Sequence, residues 1–465
     1  MKSIPDPTPT VAPPLRLWSL VFGLFLGLTL LKFGNPVILD RHIPTPLSWS
    51  EYLNQPWPVR WSFWGMGILL LSGLVLATRQ AGTTWSPIHP MLRWPLLVWF
   101  GWQWISASQS VDGTLTYLTL THLTGVVSAF CLGVMILSQP DALRWALIGL
   151  VAALCFCLMR GVNQRLVEFP LDRAVLMEGQ RTGWTNFPPE ALAAMKQEGT
   201  LVTTNGVDVA NPLILLKLER GRVHGTLVYP NALAGAVLLL LPVCFEWVNR
   251  LTQYQRSSIR VAALGLLGGL GFLGILWSGS KSGWLIALVM GFLLLLHRPL
   301  HRRIKTGMIV CLLVGGMVAF GMRFRGYFAS GATSVEARMD YWKAAYQTAL
   351  KHPFVGTGPG TFQRPYAQLK SPHAEMARLV HNDYLEQFSD SGWIGGIAYL
   401  TWVGAWLVLV GRWAWTGADT LGFTVWIGVC AWFLQGFSEF ALYVPALAWT
   451  AFALAGAATG RLRTE

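Results

Sequence analysis

Residues 260–297 read RVAALGLLGGLGFLGILWSGSKSGWLIALVMGFLLLLH, and this stretch decides the fold class. It contains two apolar runs, 260–278 and 282–297, separated by a turn of small residues and one lysine. A backbone in lipid has no water to bond, so each run must bond internally as a helix, and roughly 20 apolar residues cross a bilayer core. The stretch therefore predicts two transmembrane helices joined by a very short turn that carries Lys281.

The same pattern recurs along the whole chain of 465 residues, of which 53% are hydrophobic and only 12% charged. This composition is typical of a polytopic membrane protein and predicts an all-α fold with about twelve transmembrane helices. The expected spans are 17–34, 61–78, 92–107, 115–138, 142–160, 226–247, 260–278, 282–297, 306–322, 393–411, 418–437 and 441–460.

The distribution of lysine and arginine in the short connections predicts the orientation of the chain. One side of the membrane receives most of them, whereas the opposite short connections hold only Arg41, Arg60 and Lys281. This asymmetry predicts that both termini are cytoplasmic and that both long loops lie outside. The expected parts are a disordered tail (1–16), N-terminal spans (17–160), a first outer loop (161–225), central spans (226–322), a second outer loop (323–392) and C-terminal spans (393–465).

The second outer loop carries signals of regular structure. Thr333 followed by Glu336 is a capping-box pattern, which predicts a helix that stops before Pro353. The sequence GTGPGTF at 356–362 cannot stay helical and predicts a tight turn back toward the membrane. A second helix is expected to start near Pro372 and to end at Gly392.

The candidate base lies on that second helix, in the segment HAEMARLVHNDYLEQFSDSGWIGG. Arg378 and His381 are three residues apart and would share a helix face, where a cation disfavours the protonated imidazole. A surface or capping histidine is the alternative, but the adjacent Asn382 and Asp383 favour a functional residue. His373 at the helix start ranks second.

Three further segments would bring polar groups to the same side. Arg222 and Asn231 lie where Gly225 and Pro230 break the entry into a span, an irregularity tolerated mainly beside a cavity, although a simple kink is possible. Lys281 lies at a helix start and is either an anion ligand or a solvated turn residue. Glu439 lies at a span end and is either a functional acid or the partner of a loop arginine.

Together these segments deliver cations, a base and an acid to one membrane surface. Fixed cations suit an anionic lipid headgroup such as a pyrophosphate, for which arginine offers bidentate hydrogen bonds. The residues concerned are Arg222, Lys281, Arg338, Arg378, His381 and Glu439.

These segments resemble the O-antigen ligase and O-antigen polymerase superfamily of the bacterial envelope, from Arg222 onward and in the order of that family. The blocks that carry the resemblance are GTLVYPNALAG, SGSKSGW, ARMDYW, HPFVGTGPGTF, HNDYLEQFSDSGWIGG and GFSEFALYVP. The resemblance implies a lipid-linked glycosyltransferase-like helix bundle in the inner membrane, with an active site facing the periplasm or cell exterior.

The resemblance also implies the reaction and its partners. A glycan would move from undecaprenyl pyrophosphate to an acceptor hydroxyl on a lipid such as lipid A core or on a glycan. The family's histidine falls on His381, and its basic residues fall on Arg222, Lys281 and Arg338. Lys281 stands where the family usually has arginine, which keeps the charge and loses the planar fork. Glu439 could orient the histidine or a sugar hydroxyl, and Asn231 and Asn382 would contact substrate.

No metal or cofactor is expected, because the resemblance assigns the pyrophosphate to basic side chains. All six cysteines lie in apolar runs without metal or redox spacing. The other expected partners are membrane lipids, and no nucleic acid.

Three alternatives remain open from the sequence. An O-antigen or exopolysaccharide polymerase and a protein O-oligosaccharyltransferase would share the donor and the base. A secondary transporter would also have about twelve spans, but transporters usually bind at the midplane on broken helices, whereas the titratable residues here concentrate in outer loops.

Overall fold

The computed structural model describes residues 12–79, 88–329, 333–372, 374–417 and 419–462. The first eleven residues of the expected tail and His373 lie outside these ranges. Within the described residues, eight helices are long and apolar enough to cross a membrane, which confirms a polytopic helical membrane protein. They are Pro13–Lys32, Arg60–Arg79, Gly113–Leu137, Asp141–Thr182, Pro230–Leu251, Ser257–Ser278, Arg302–Ala329 and Asp383–Thr416.

The four other expected spans are also helical. Lys281–His297 and Thr420–Gln435 are shorter apolar helices, and Pro90–Ala107 and Pro445–Arg461 complete the set. The number of twelve crossings and the orientation stay predictions. Pro445–Arg461 is buried along its whole length, so the C-terminal helix lies at the centre of the bundle.

Small residues allow the helices of the bundle to approach closely. A Cβ at Gly23 would collide with the backbone carbonyl of Ala146. The glycine therefore lets the first helix pack directly against the backbone of the Pro140–Asn163 helix. Such small-residue contacts are the usual packing device in lipid, where apolar side chains gain little by association.

Residues 161–225, the expected first outer loop, contain more regular structure than the sequence predicted. The helix of the expected fifth span continues past residue 160 through a wider turn, and ends at Thr182 because Gly183 adopts a left-handed conformation. Helices Pro189–Gln197 and Pro212–Arg220 flank a hairpin of strands Leu201–Thr204 and Val207–Ala210. These elements share a small hydrophobic cluster built on Leu176, Trp184, Leu201 and Ala210.

The second outer loop begins as expected and then departs from expectation. Its first helix is Thr333–Lys351, and a short helix, Gln363–Leu369, follows the glycine turn. In that turn Gly360 has φ +73°, and a Cβ there would collide with Thr119 Oγ1, so glycine is required.

The expected helix from Pro372 to Gly392 is wrong at its start. The described residues between Lys370 and Asn382 are irregular, and the helix begins at Asp383 and continues to Thr416. It bends at Ser391 and Gly392, the position where the sequence predicted its end. The helix starts late because His381 takes φ +55°, which is incompatible with a helical turn.

Candidate functional site

The buried carboxylate of Glu439 is the centre of the candidate site. Its side chain is 1% exposed, and Oε1 accepts hydrogen bonds from Asn231 Nδ2 at 2.6 Å and from Arg338 Nη2 at 2.7 Å. A buried charge is tolerated when it is paired and hydrogen-bonded, and both conditions hold for this oxygen. The second oxygen, Oε2, accepts no hydrogen bond from a described residue.

Asn231 connects this carboxylate to a second arginine. Its Oδ1 accepts a hydrogen bond from Arg222 Nη2 at 2.8 Å, and Arg222 Nε donates to the carbonyl of Ser278 at 2.7 Å. Pro230 at the first position of its helix fixes Asn231 at the second, in the first turn. Burial lowers the pKa of Arg222, Glu439 opposes this shift, and nearby cations including Arg338 add to it.

His381 faces the same carboxylate. Its Nδ1 lies 3.5 Å from Glu439 Oε2, an ion-pair distance, and its side chain is 31% exposed. The ring packs edge-on against Phe440 at 4.6 Å between centroids and lies 6.0 Å from the ring of Tyr341. A left-handed conformation is uncommon for histidine and costs of order 1–3 kcal/mol, so the surrounding structure must hold it in place.

A cavity of about 310 Å³ opens beside this histidine. Its lining includes Arg338, Tyr341, Glu375 and His381. The cavity therefore gives a molecule from outside access to the candidate base and to one arginine at once.

Lys281 extends the positive charge of the site. It is the first residue of its helix, and Ser280 caps that helix by accepting a hydrogen bond from the Gly283 amide. Its Nζ lies 3.8 Å from the ring centroid of Tyr327, a cation–π contact. Arg222, Arg338 and Lys281, called the cation cluster below, are close enough to interact electrostatically.

Two of the sequence-predicted site residues lie elsewhere or serve the fold. Arg378 and His381 do not share a helix, because both lie in the irregular segment that precedes the helix starting at Asp383. Arg378 Nη1 instead lies 3.4 Å from both ring nitrogens of His42. Asn382 is the N-cap of the Asp383 helix, since its Oδ1 accepts hydrogen bonds from the amides of Tyr384 and Leu385.

Three buried acidic residues of the Asp383 helix hold the segments around the site, and of these Glu386 was not singled out from the sequence. Asp383 accepts a hydrogen bond from the Leu442 amide at 3.2 Å, and Glu386 Oε2 accepts one from the Val380 amide at 3.1 Å. Asp390 Oδ2 accepts hydrogen bonds from the Gly360 amide and the Tyr443 hydroxyl, both at 2.7 Å. Their positions, three and four residues apart on one helix face, were the available signal.

These bonds clamp the residues on both sides of His381. Val380 before it is tied to Glu386, and Asn382 after it donates to the carbonyl of Phe437 at 3.1 Å. Phe437 and Glu439 belong to the same short connection. The clamp thus fixes the imidazole relative to the carboxylate that it faces.

The described parts of the chain contain no group of three or more histidine, cysteine, aspartate or glutamate side chains placed to hold a metal ion. The polar groups at the site include a histidine, a buried carboxylate, an amide and cations. This set can accept a proton and bind an anion.

A part of the chain that includes several residues of the site matches a known protein family. Residues 266–400 match the family model described as O-Antigen ligase, whereas a comparison with curated proteins finds no match. The matched stretch includes Lys281, Arg338 and His381, while Arg222 and Glu439 lie on either side of it. The family suggests a glycan-transfer function in the cell envelope. The match over residues 266–400 supports membership of the O-antigen ligase superfamily.

Proposed function

We propose that this protein transfers a glycan from undecaprenyl pyrophosphate to an acceptor hydroxyl at the outer face of the bacterial inner membrane. The acceptor of an O-antigen ligase would be lipid A core or a similar lipid. The observation that carries the proposal is the position of the Glu439 carboxylate. It accepts hydrogen bonds from Arg338 and Asn231 through one oxygen and faces His381 through the other.

The cation cluster is suited to the leaving group. When the bond between the anomeric carbon and the pyrophosphate oxygen breaks, negative charge grows on that oxygen, and fixed cations stabilise it. Arg338 Nε has no hydrogen-bond partner among the described residues, although Nη2 is engaged by Glu439. A pyrophosphate oxygen would provide that partner.

His381 is suited to the attacking group. It would take the proton of the acceptor hydroxyl while the acceptor oxygen bonds to the anomeric carbon from the face opposite the leaving group. Direct displacement of this kind inverts the anomeric configuration and needs no metal ion in the scheme. Since Nδ1 faces Glu439, Nε2 is the nitrogen left for the acceptor, and the carboxylate would stabilise the imidazolium that forms.

An apolar groove supports a lipid-linked donor. It has a volume of about 440 Å³. Its lining includes residues of the Pro230 helix between Val237 and Glu246, residues of the Lys281 helix between Ala287 and Leu295, and Arg298 just beyond that helix. Both helices begin in the site, with Asn231 in the first turn of one and Lys281 as the first residue of the other. At 1.5 Å per residue the groove starts about 9 Å below these residues and continues for roughly a further 14 Å. A polyprenyl chain attached to a pyrophosphate in the site would enter it.

Filling this groove should weaken the donor selectively. Gly268 lines the groove. A Cβ built on it would lie 3.7 Å from Phe245 Cε2, the nearest neighbouring atom, so the ring of Gly268→Phe would project into the groove. We expect about a tenfold rise in the KM of a long-chain polyprenyl donor, equivalent to about 1.4 kcal/mol, and no rise for a donor with two isoprene units.

Gly269→Phe is the matched control, because its Cβ position meets nothing within 4 Å and it does not line the groove. An equal change in KM for the long and the short donor in Gly268→Phe, relative to the wild type, would remove the groove from the donor site.

Deletion of the gene tests the function in cells, with the surface glycans separated on a gel. The proposal predicts that the glycan ladder on lipid A disappears and returns with the wild-type gene. A band of single repeats would indicate a polymerase instead. An unchanged pattern would favour a protein acceptor, another polymer or a transporter.

A further inference from the structure

A second polar cavity lies next to the His381 segment. It has a volume of about 280 Å³ and is built by three segments that are distant in sequence. Its polar lining, called the second basic pocket below, consists of Arg41, His42, Asp112, Thr114, Gln363, Arg364 and Arg378.

The single carboxylate of this pocket is already engaged. Asp112 accepts a hydrogen bond from Arg364 Nε at 2.8 Å and caps the Gly113 helix by accepting from the amides of Thr114 and Leu115. Burial raises the pKa of Asp112, but the bonds from Arg364 and these amides outweigh it and leave the pKa below its usual value. One arginine is thus neutralised, and two remain.

The two remaining arginines, Arg41 and Arg378, form no ion pair with a carboxylate of the described residues. Arg378 contacts the imidazole of His42, which carries no negative charge. Arg41 lies in a helical turn that its neighbour Asp40 holds in place. The carboxylate of Asp40 accepts hydrogen bonds from the Arg60 side chain at 2.7 Å and from the Arg60 amide at 2.9 Å. The pocket is therefore a fixed site with an excess of positive charge.

The position of the pocket separates it from the donor. None of its segments lines the apolar groove or contributes to the cation cluster. Arg378 is three residues from His381, so their Cα atoms are at most about 11 Å apart. A molecule held here could present a hydroxyl to His381 from the side that the donor does not occupy.

We propose that the second basic pocket binds an anionic group, a phosphate or a carboxylate, carried by the acceptor within a few sugar units of the hydroxyl that attacks. The inference rests on the proposed function, since it names the chemistry of the acceptor. It assigns Arg41 and Arg378 to acceptor binding and leaves Arg222, Lys281 and Arg338 to the donor.

Titration calorimetry of the full chain in a neutral detergent tests this assignment without any turnover. Glucose 6-phosphate and glucose serve as probes for the pocket, and inorganic pyrophosphate serves as a probe for the cation cluster. In the double variant Arg41→Gln/Arg378→Gln, we expect the affinity for glucose 6-phosphate to fall at least tenfold and that for pyrophosphate to change less than twofold. Arg338→Gln should show the reverse.

An equal loss for both probes, or no loss for glucose 6-phosphate, would overturn the proposal. So would glucose binding that equals glucose 6-phosphate binding in the wild type. If the wild type transferred no glycan, the proposed function would fail while this binding result would still stand.

A second experiment, in membranes, distinguishes an acceptor in the pocket from a lipid headgroup, because a headgroup could present the same phosphate. The chain is reconstituted in phosphatidylcholine vesicles with and without phosphatidylglycerol. We expect the wild-type affinity for glucose 6-phosphate to agree within twofold in the two membranes. If phosphatidylglycerol weakens that affinity in the wild type and not in the double variant, the pocket holds a lipid and the acceptor assignment is wrong.

Discussion

Replacement of His381 by alanine is expected to lower the rate of glycan transfer by about 10²–10⁴-fold, the usual contribution of a general base. The side chain is partly exposed to the cavity, so its removal leaves little buried space empty. We therefore expect the variant to fold, with an elution profile and thermal midpoint in detergent close to those of the wild type. The KM of the donor should change little, because the cation cluster stays intact.

His352→Ala is the matched control, since His352 is an exposed histidine of the same outer loop and lies outside the candidate site. It should retain full activity. Full activity in His381→Ala as well would contradict the assignment of the base.

Reversal of charge at Arg338 should have the second large effect. In Arg338→Glu a carboxylate would replace the guanidinium that lies 2.7 Å from buried Glu439, which leaves that charge unpaired and adds repulsion. Truncating one partner of such a pair costs about 2–5 kcal/mol, and the pyrophosphate loses a cation at the same time. We expect donor affinity to fall more than acceptor affinity in equilibrium binding.

Lys343→Glu on the same helix is the control, because Lys343 is exposed and should tolerate the change. Arg338→Gln separates loss of the cation from repulsion, and we expect an intermediate loss of donor affinity. Equal losses of donor and acceptor affinity in Arg338→Glu would argue against its assignment to the donor.

The apolar runs made the helical membrane fold predictable, because the need to satisfy backbone hydrogen bonds in lipid leaves few options. The hairpin at 201–210 was not predicted, although Asn205 and Gly206 form a turn with positive φ at both positions, a typical hairpin signal. The length of the helix that ends at Thr182 was also missed, since residues 161–182 lack the apolar character on which the spans were recognised.

Within the site, the structure brings together candidate residues from separate segments. Pairing of Glu439 with a loop arginine was one of the two alternatives given for it, but the choice of Arg338 and the contact with Asn231 were not predicted. Glu439 contacts Arg338 and Asn231 across about a hundred residues or more, and periodicity within one segment carries no information on such contacts. The pairing of Arg378 with His381 was inferred from helical spacing and failed, because the cap at Asn382 and the left-handed His381 end that periodicity.

The most direct test of the central claim is a reaction of the purified chain with a radiolabelled glycan on undecaprenyl pyrophosphate and a lipid acceptor. We expect the wild type to release undecaprenyl pyrophosphate in equal amount to the glycan transferred, with inversion at the anomeric carbon, and His381→Ala to carry out both at least about a hundredfold more slowly. Intact donor after incubation with the wild type, or equal release by His381→Ala, would contradict this expectation.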